Sequence, residues 1–160
     1  MATLRRATPD DAEALTRLRG HMHEAMGAVL TASWQDASVE AFRRRLAGED
    51  FVAYAVEVEG TVVCSGVGSL EEHLPSPGHV DGRRGHISSM STEPAHRRQG
   101  HAREVFSALM AWFGEQGIRR VDLRATGDGQ PLYESFGFRA LGGVTMAWTA
   151  PGTTPGMPGR

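Results

Sequence analysis

The sequence predicts a single domain of mixed α/β class. Two neighbouring segments rich in valine and small apolar residues, Phe51 to Val58 and Thr61 to Leu70, flank Glu59-Gly60 and predict an antiparallel hairpin. A later segment, from about Gln99 to Gln116, repeats its apolar residues with the period of an amphipathic helix. The chain has 160 residues, and two independent domains within that length would both be unusually small.

Composition excludes several classes of protein. Hydrophobic residues make up 40% and charged residues 22%, which is a soluble globular balance. The formal net charge of −2 lacks the basic field expected of a nucleic-acid binder. No apolar run approaches the length of a bilayer span, and the N-terminus lacks the apolar stretch of a secretory signal. We therefore expect a cytoplasmic protein with no nucleic-acid or membrane partner, in which the one cysteine, Cys64, is a packing residue.

Two helices are predicted before the hairpin. Thr8-Pro9, followed by two aspartates, is typical of a helix N-terminus, and this helix should continue to about Met26. A second, short helix should begin after Ser38, direct Phe42 inward and end at Gly48.

The segment after the hairpin changes character. Glu71 to Arg84 contains prolines, glycines and two histidines, which predicts a surface loop. Gly85 to Thr92 follows as an unusually polar strand. Regular alternation would place His86, Ser88, Met90 and Thr92 on one face of this strand, with Ile87, Ser89 and Ser91 on the other.

The C-terminal third predicts shorter elements. After the long helix ends at Gly117, Ile118 to Ala125 should form a strand and about Gly129 to Phe136 a short helix. Phe138 to Thr149 should return as one or two strands. We expect the domain to span residues 1–150 and the proline- and glycine-rich residues 151–160 to be disordered.

The turn between the polar strand and the long helix is the most informative feature. Its sequence is Arg97-Arg98-Gln99-Gly100-His101-Ala102. A turn that enters a helix leaves backbone N–H groups without intrahelical partners, and the helix dipole adds positive potential there. Gly100 allows close approach, and Arg97, Arg98 and Arg103 add full charges. The turn alone is compatible with an anion site or with a solvated helix entry.

The order of the elements separates these alternatives. A strand, a basic glycine turn, an amphipathic helix, a strand and then Pro131-Leu132-Tyr133-Glu134-Ser135-Phe136-Gly137-Phe138 resembles the GNAT superfamily of N-acetyltransferases over about residues 85 to 140. The family's turn pattern is matched by Arg97, Gly100 and Ala102, and Glu93-Pro94 also resembles the family. The resemblance implies a central mixed, mostly antiparallel twisted sheet of six to seven strands flanked by about four helices.

The resemblance also implies acetyl-coenzyme A (acetyl-CoA) as co-substrate, with its pyrophosphate on the turn and its pantetheine arm along the end of the preceding strand. No metal is implied. The implied reaction transfers the acetyl group to a primary amine of a small molecule or to a protein amino group, by direct attack in a ternary complex. The implied cofactor-binding residues are Met90, Ser91, Thr92, Arg97, Arg98, Gln99, Gly100, His101, Ala102 and Arg103.

Acetyl transfer to an amine requires two proton transfers. Tyr133 resembles the family tyrosine that acts as general acid toward coenzyme A. The base that deprotonates the amine stays open: His86 or Glu93 near the strand, the loop residues Glu71, Glu72 and His73, or a water relay are all candidates. The loop acids also suggest a cationic acceptor.

Two departures and one alternative complete the prediction. The strand before the turn is polar where many relatives are valine-rich, which fits a polar-lined pocket beside the thioester or, alternatively, a solvent-facing or bulged strand. Thr126 to Gly129 stand where relatives often carry an asparagine. A non-catalytic module that binds acyl-CoA and reports it to a partner is the alternative function.

His21 and His23 lie two residues apart on a predicted helix and do not share a face, which argues against a metal site. The oligomeric state, monomer or homodimer, stays open.

Overall fold

The computed structural model describes residues 1–153, so the predicted disordered tail, residues 151–160, lies outside the described residues from residue 154 onward. The chain divides into two compact units, Met1–Leu123 and Arg124–Arg160. The first unit contains a sheet and three of the helices, and the second contains one short helix.

The first unit is built on a sheet of five strands. These are β1 (Ala2–Arg6), β2 (Phe51–Val58), β3 (Thr61–Glu72), β4 (Arg83–Thr92) and β5 (Val121–Leu123), which lie in chain order across the sheet. The first four strands are antiparallel, and β5 is parallel to β4. The mixed, mostly antiparallel sheet is confirmed, although the described residues form five strands and not the expected six to seven.

Helices cover both faces of this sheet. They are α1 (Ala12–Ala25), α2 (Ala32–Leu46) and α3 (His101–Glu115). Leu15 of α1 and Phe42 of α2 share a buried cluster with Val67 of β3. Gly68, the next residue of β3, faces α3 instead: a Cβ built on it would lie 3.1 Å from the ring of Phe113. The absence of a side chain on Gly68 therefore lets α3 pack close to the strands.

The start of α2 differs from the prediction. The helix begins at Ala32, and the Thr31 hydroxyl caps it by accepting a hydrogen bond from the Trp34 amide at 3.1 Å. Ser38, after which the helix was predicted to begin, lies inside the helix, where its hydroxyl is 3.0 Å from the hydroxyl of Thr16 on α1. This serine therefore contributes a contact between two helices.

Strand β1 was not predicted. It is an edge strand whose side chains are mostly exposed, so its sequence lacks apolar alternation. It pairs with β2 through its backbone, and its side chains add ion pairs: Arg5 lies 2.8 Å from Asp11 and 2.7 Å from Glu57. Sequence spacing alone does not reveal such partners.

The predicted loop from Glu71 to Arg84 is shorter in the structure. Glu71 opposes Arg84 and Glu72 opposes Arg83, so both strands of this hairpin extend further than expected. Opposite charges across an antiparallel pair favour pairing. The remaining loop is closed by the His73 amide, which donates to Gly82 O at 2.8 Å.

The second unit confirms one predicted element and contradicts another. The short helix is α4 (Gln130–Ser135), and Gly137 follows it with a φ of +91°. The predicted strands from Phe138 to Thr149 are wrong, because no strand forms there in the described residues. A segment with alternating apolar residues is stable as a strand only when it pairs with the edge of another strand. Here Gly142-Gly143 interrupts the segment, and four of its apolar side chains are exposed: Leu141, Val144, Met146 and Trp148. The strand predicted from Ile118 to Ala125 is reduced to Val121–Leu123.

Candidate cofactor and active site

Strand β4 contains a bulge in the middle of its pairing with β3. Val67 pairs with Ser88 and Ser65 pairs with Ser91, so two residues of β4, Ser89 and Met90, oppose Gly66. Ser89 has a φ of +55°, a left-handed conformation that is uncommon for a residue other than glycine. Bulges of this kind re-aim side chains and occur often beside active sites.

The bulge overturns the predicted alternation of side chains. Ser89 accepts a hydrogen bond from Arg19 of α1, and the Ser91 hydroxyl donates to Leu18 O of α1 at 2.8 Å. Met90 lies on the opposite side, because a Cβ on Gly66 would come within 2.2 Å of its sulfur and 3.0 Å of Val105 on α3. His86 and Met90 therefore do not share a face of the sheet. The extra residue shifts the alternation of side chains by one position after Ser88.

The far part of β4 has an open edge. Strand β5 pairs only with Gly85, His86 and Ile87. Beyond Ile87, no other strand among residues 1–153 pairs with β4 on that side. Backbone N–H and C=O groups of Ser88 to Thr92 on this edge can therefore pair with an added extended chain. The residues expected to bind pantetheine, Met90 to Thr92, all belong to it.

The basic turn has the conformation that an anion site requires. Arg98 and Gly100 both have positive φ values, +63° and +85°. Alternation of left-handed and ordinary residues points successive amides toward one side, which forms a concave anion site. The first helical bond of α3 runs from the Glu104 amide to Gly100 O, so the amides of His101 and Ala102 precede the intrahelical bonding. A Cβ on Gly100 would meet nothing within 4 Å, so the space above the turn is open.

The side chains of the turn take different positions. Those of Arg97, Arg98, Gln99 and Arg103 are exposed, and Arg97 Nε donates to Thr92 O at 3.3 Å. His101 is the exception, with 6% of its surface exposed and neither ring nitrogen hydrogen-bonded within residues 1–153. Its side chain packs inward, so only its amide faces the open side of the turn. The sequence did not distinguish these two orientations.

The two leading candidates for the base are separated along β4. His86 lies four positions before Met90, or about 13 Å along an extended strand. Glu93 directly follows the strand, and both of its oxygens contact α1: Oε1 accepts from Arg17 Nε at 3.2 Å, and Oε2 lies 3.2 Å from His21 Nε2. Arg17 is itself anchored by donating to Val62 O at 2.7 Å. The loop candidates are also engaged, since His73 Nε2 lies 2.9 Å from Glu71.

A cleft of about 650 Å³ opens between α1 and α2. Its apolar lining is Leu30, Trp34 and Val39, and its polar lining includes Arg17 and His21. Because these two residues also hold Glu93, one wall of the cleft is joined to the end of β4. The i, i+4 spacing of Arg17 and His21 was a visible sign of a shared helix face. Nothing in the sequence connected that face to Glu93.

Burial raises the pKa of the Cys64 thiol to about 11, and Cys64 has no exposed surface. The Thr92 hydroxyl donates to its sulfur at 3.2 Å. This thiol is a packing group on β3, opposite the end of β4, and not an available nucleophile.

Tyr133 lies on α4 in the second unit. It is 9% exposed, and its ring centroid lies 6.5 Å from that of Phe138. Burial raises the pKa of its phenol above the usual 10.0. The phenol therefore remains a proton donor at neutral pH.

The residues that the structure describes contain neither a metal-binding cluster nor a membrane-spanning helix. No group of three or more histidine, cysteine, aspartate or glutamate side chains among residues 1–153 has the arrangement to hold a metal ion. None of the helices described is long and apolar enough to cross a bilayer.

The mixed sheet, with an open β4 edge that leads through a glycine turn into a helix, defines an acetyltransferase class of fold. The chain belongs to the Acetyltransferase (GNAT) family, whose model matches residues 17–138. No curated protein matches it by sequence.

Solved structures show the same fold. A predicted acetyltransferase with acetyl-CoA from Clostridium acetobutylicum superposes with a TM-score of 0.84 at 23% identity, covering 92% of this chain and 96% of that one. A GCN5-related N-acetyltransferase from Ralstonia eutropha gives 0.82 at 27% identity, covering 92% and 99%. Glucosamine-6-phosphate N-acetyltransferase from Arabidopsis thaliana gives 0.73 at 19% identity, covering 93% and 98%.

Proposed function

We propose that the protein transfers an acetyl group from acetyl-CoA to a primary amine of a small molecule or protein, by direct attack of the amine on the thioester. One observation carries this proposal: the open edge of β4 is followed, after a single 3₁₀ turn (Pro94–His96), by a left-handed turn at the N-terminus of α3. In a chain of the acetyltransferase family, this arrangement fits a donor with an extended arm and a pyrophosphate.

The turn would hold the phosphates through backbone amides. Gly100, His101 and Ala102 supply N–H groups whose direction is fixed by the backbone, and the helix dipole adds to the potential. Arg97, Arg98, Gln99 and Arg103 are exposed around the same turn, where their side chains can close on the nucleotide end. The amides therefore set the position, and the arginines add charge.

The open edge would hold the pantetheine arm. Met90, Ser91 and Thr92 offer main-chain groups to its amides, as an added strand does. A backbone N–H in this bulged segment can also stabilise the negative charge that builds on the thioester oxygen during attack. The bulge matters here because it turns Ser89 and Met90 out of the regular ladder.

Proton transfer to the leaving thiolate is assigned to Tyr133. A general acid must be protonated before the reaction, and the raised pKa of the phenol satisfies this condition. Direct attack is favoured over a cysteinyl intermediate, because the chain has one cysteine and its thiol is buried with a pKa of about 11.

The acceptor is proposed only as a class. Two proteins that share this fold, a glucosamine-6-phosphate N-acetyltransferase and an aminoglycoside N-acetyltransferase, act on amines. The cleft between α1 and α2 is large enough for a small molecule.

The test is release of free thiol from acetyl-CoA with a panel of primary amines. We expect amine-dependent thiol release together with the acetylated product, detected by mass spectrometry. Calorimetric binding of acetyl-CoA without thiol release for any amine would contradict the proposal and favour a non-catalytic acyl-CoA module.

A further inference from the structure

The side chain of His21 is held between the cleft and the end of β4. Its Nε2 lies 3.2 Å from Glu93 Oε2, and His21 lines the cleft between α1 and α2. About a third of its side chain is exposed, so the ring reaches the open space. Glu93 immediately follows Thr92, the last residue of the strand expected to hold the thioester arm.

Glu93 is itself fixed and cannot easily turn away. Its second oxygen accepts from Arg17 Nε at 3.2 Å, and Arg17 donates to Val62 O of β3 at 2.7 Å. A carboxylate anchored in this way, with Oε2 3.2 Å from Nε2, favours the tautomer that carries its proton on Nε2. The lone pair then resides on Nδ1, which is the arrangement of a base oriented by a third group.

We infer that His21 is the general base that removes the proton from the acceptor ammonium, and that Glu93 is its positioning residue. This inference rests on the proposed acetyl transfer. It replaces the two alternatives in which Glu93 or His86 acts directly, because both Glu93 oxygens are occupied and His86 lies well back along β4.

The proton balance is complete with groups already named. An alkylammonium, with a pKa of about 10.4, gives its proton to Nδ1 of His21. The neutral nitrogen attacks the thioester carbon, a C–N bond forms, and the tetrahedral intermediate expels the thiolate as the C–S bond breaks. The thiolate takes a proton from Tyr133, and the second proton of the attacking nitrogen returns through water to the Tyr133 oxygen. The imidazolium later releases the first proton to water.

The charges around the cleft favour a cation. Asp36 and Glu40 of α2 also line the cleft, and Glu24 lies 3.9 Å from His21 Nδ1. The second cation of the lining, Arg43, is paired with Glu13 at 3.5 Å. Arg17 is neutralised by Glu93 on the inner side. The carboxylates of the lining raise the local concentration of an ammonium ion, and Trp34 adds apolar surface for the skeleton of the acceptor.

The test compares two matched acceptors in the His21→Gln variant. The first is 4-methylbenzylamine, which is protonated at neutral pH, and the second is 4-methylaniline, which is already neutral. We expect kcat for the benzylamine to fall about 100-fold, as for loss of a general base. The aniline should lose less than about 5-fold, since it has no proton to remove before attack. His79→Gln, in the loop after β3, is the matched control and should change neither.

Equal losses for both amines would overturn the inference, because a structural defect does not depend on the protonation state of the acceptor. Glu93→Gln supplies a second kinetic measurement. Glutamine keeps the shape of the side chain and removes the charge beside Nε2. We expect kcat for 4-methylbenzylamine to fall by more than kcat for 4-methylaniline, with KM for acetyl-CoA unchanged. Equal changes for the two amines would contradict the positioning role.

Binding gives an answer that does not require turnover. The His21 Hε1 resonance, identified by its loss in His21→Gln, should shift when 4-methylbenzylamine is added to the protein loaded with coenzyme A. No shift at saturation overturns the inference. If the shift occurs and no amine releases thiol, the proposed function fails while the site remains.

Discussion

Replacing Gly100 with alanine tests the assignment of the turn. Gly100 has a φ of +85°, where a residue with a Cβ is destabilised by about 1–2 kcal/mol. The new methyl group would meet no atom within 4 Å, so the effect is conformational and not steric. In the variant, the turn can keep this conformation, which lowers the free energy of unfolding. Alternatively it relaxes, which changes the directions of its backbone N–H groups.

In both cases we expect weaker binding of acetyl-CoA. Relaxation removes a hydrogen bond to a charged phosphate, worth about 1.5–3 kcal/mol. That loss corresponds to an increase in Kd of about 10-fold to 150-fold. If the turn is retained, the methyl group occupies the open space in which the phosphate would lie, with an effect in the same direction.

Gly114→Ala is the matched control on the same helix. Gly114 lies inside α3, and an added Cβ meets nothing within 4 Å. Alanine at an exposed helical position should raise the free energy of unfolding by about 0.5–1 kcal/mol. Acetyl-CoA affinity should stay unchanged, so an effect of simple glycine replacement is separated from an effect on the turn.

The assay is calorimetric titration with acetyl-CoA and with S-acetylpantetheine, which lacks the pyrophosphate and nucleotide. Gly100→Ala should weaken the first ligand and leave the second unchanged. An equal loss for both ligands, or unchanged binding of acetyl-CoA, would refute the assignment of the phosphates to this turn. Thermal unfolding of the unliganded variants measures the conformational cost separately.

Three further predictions concern single side chains. Tyr133→Phe should bind acetyl-CoA normally and lower kcat about 100-fold or more, as measured by thiol release; near-normal turnover at every pH would contradict the acid role. Cys64→Ala should retain turnover, since no acyl group passes through this thiol, and loss of activity in a folded variant would argue against direct attack. Burial and the charge of Arg19 lower the pKa of His23 below 6.5, so the unfolded state gains a proton first as the pH falls. The free energy of unfolding should therefore decrease as the pH falls below about 7. In denaturant titrations, His23→Gln should show a smaller decrease than the wild type. The control, His79→Gln, should show the same decrease as the wild type.

The elements that could be predicted depend on neighbouring residues. The apolar spacing of α3, the glycine turn before it and the closure of α4 at Gly137 are all local patterns, and the structure confirms their places. Strand β1 could not be predicted in the same way, because its stabilising partners, Asp11 and Glu57, belong to other elements.

The polar strand β4 shows how a correct element can still give wrong side-chain directions. Its existence was predicted, but one extra residue at Ser89 reverses which side chains face α1 and which face α3. A serine carries no signal for a positive φ. The bulge depends on Gly66 of the opposing strand, where a side chain would collide with Met90. Strand register is therefore a property of both strands together.

The same distinction explains why the donor side of the candidate site was easier to predict than the acceptor side. Phosphate recognition uses consecutive amides, so one short turn carries most of its chemistry and leaves a motif. The group around Glu93 instead joins Arg17 and His21 of α1 to the end of β4 across more than 70 positions of sequence. No spacing rule applies to residues that meet only after the sheet has formed. Glu93 was a reasonable candidate base because it follows the strand, but its contacts make it a better anchor for the histidine that reaches the cleft.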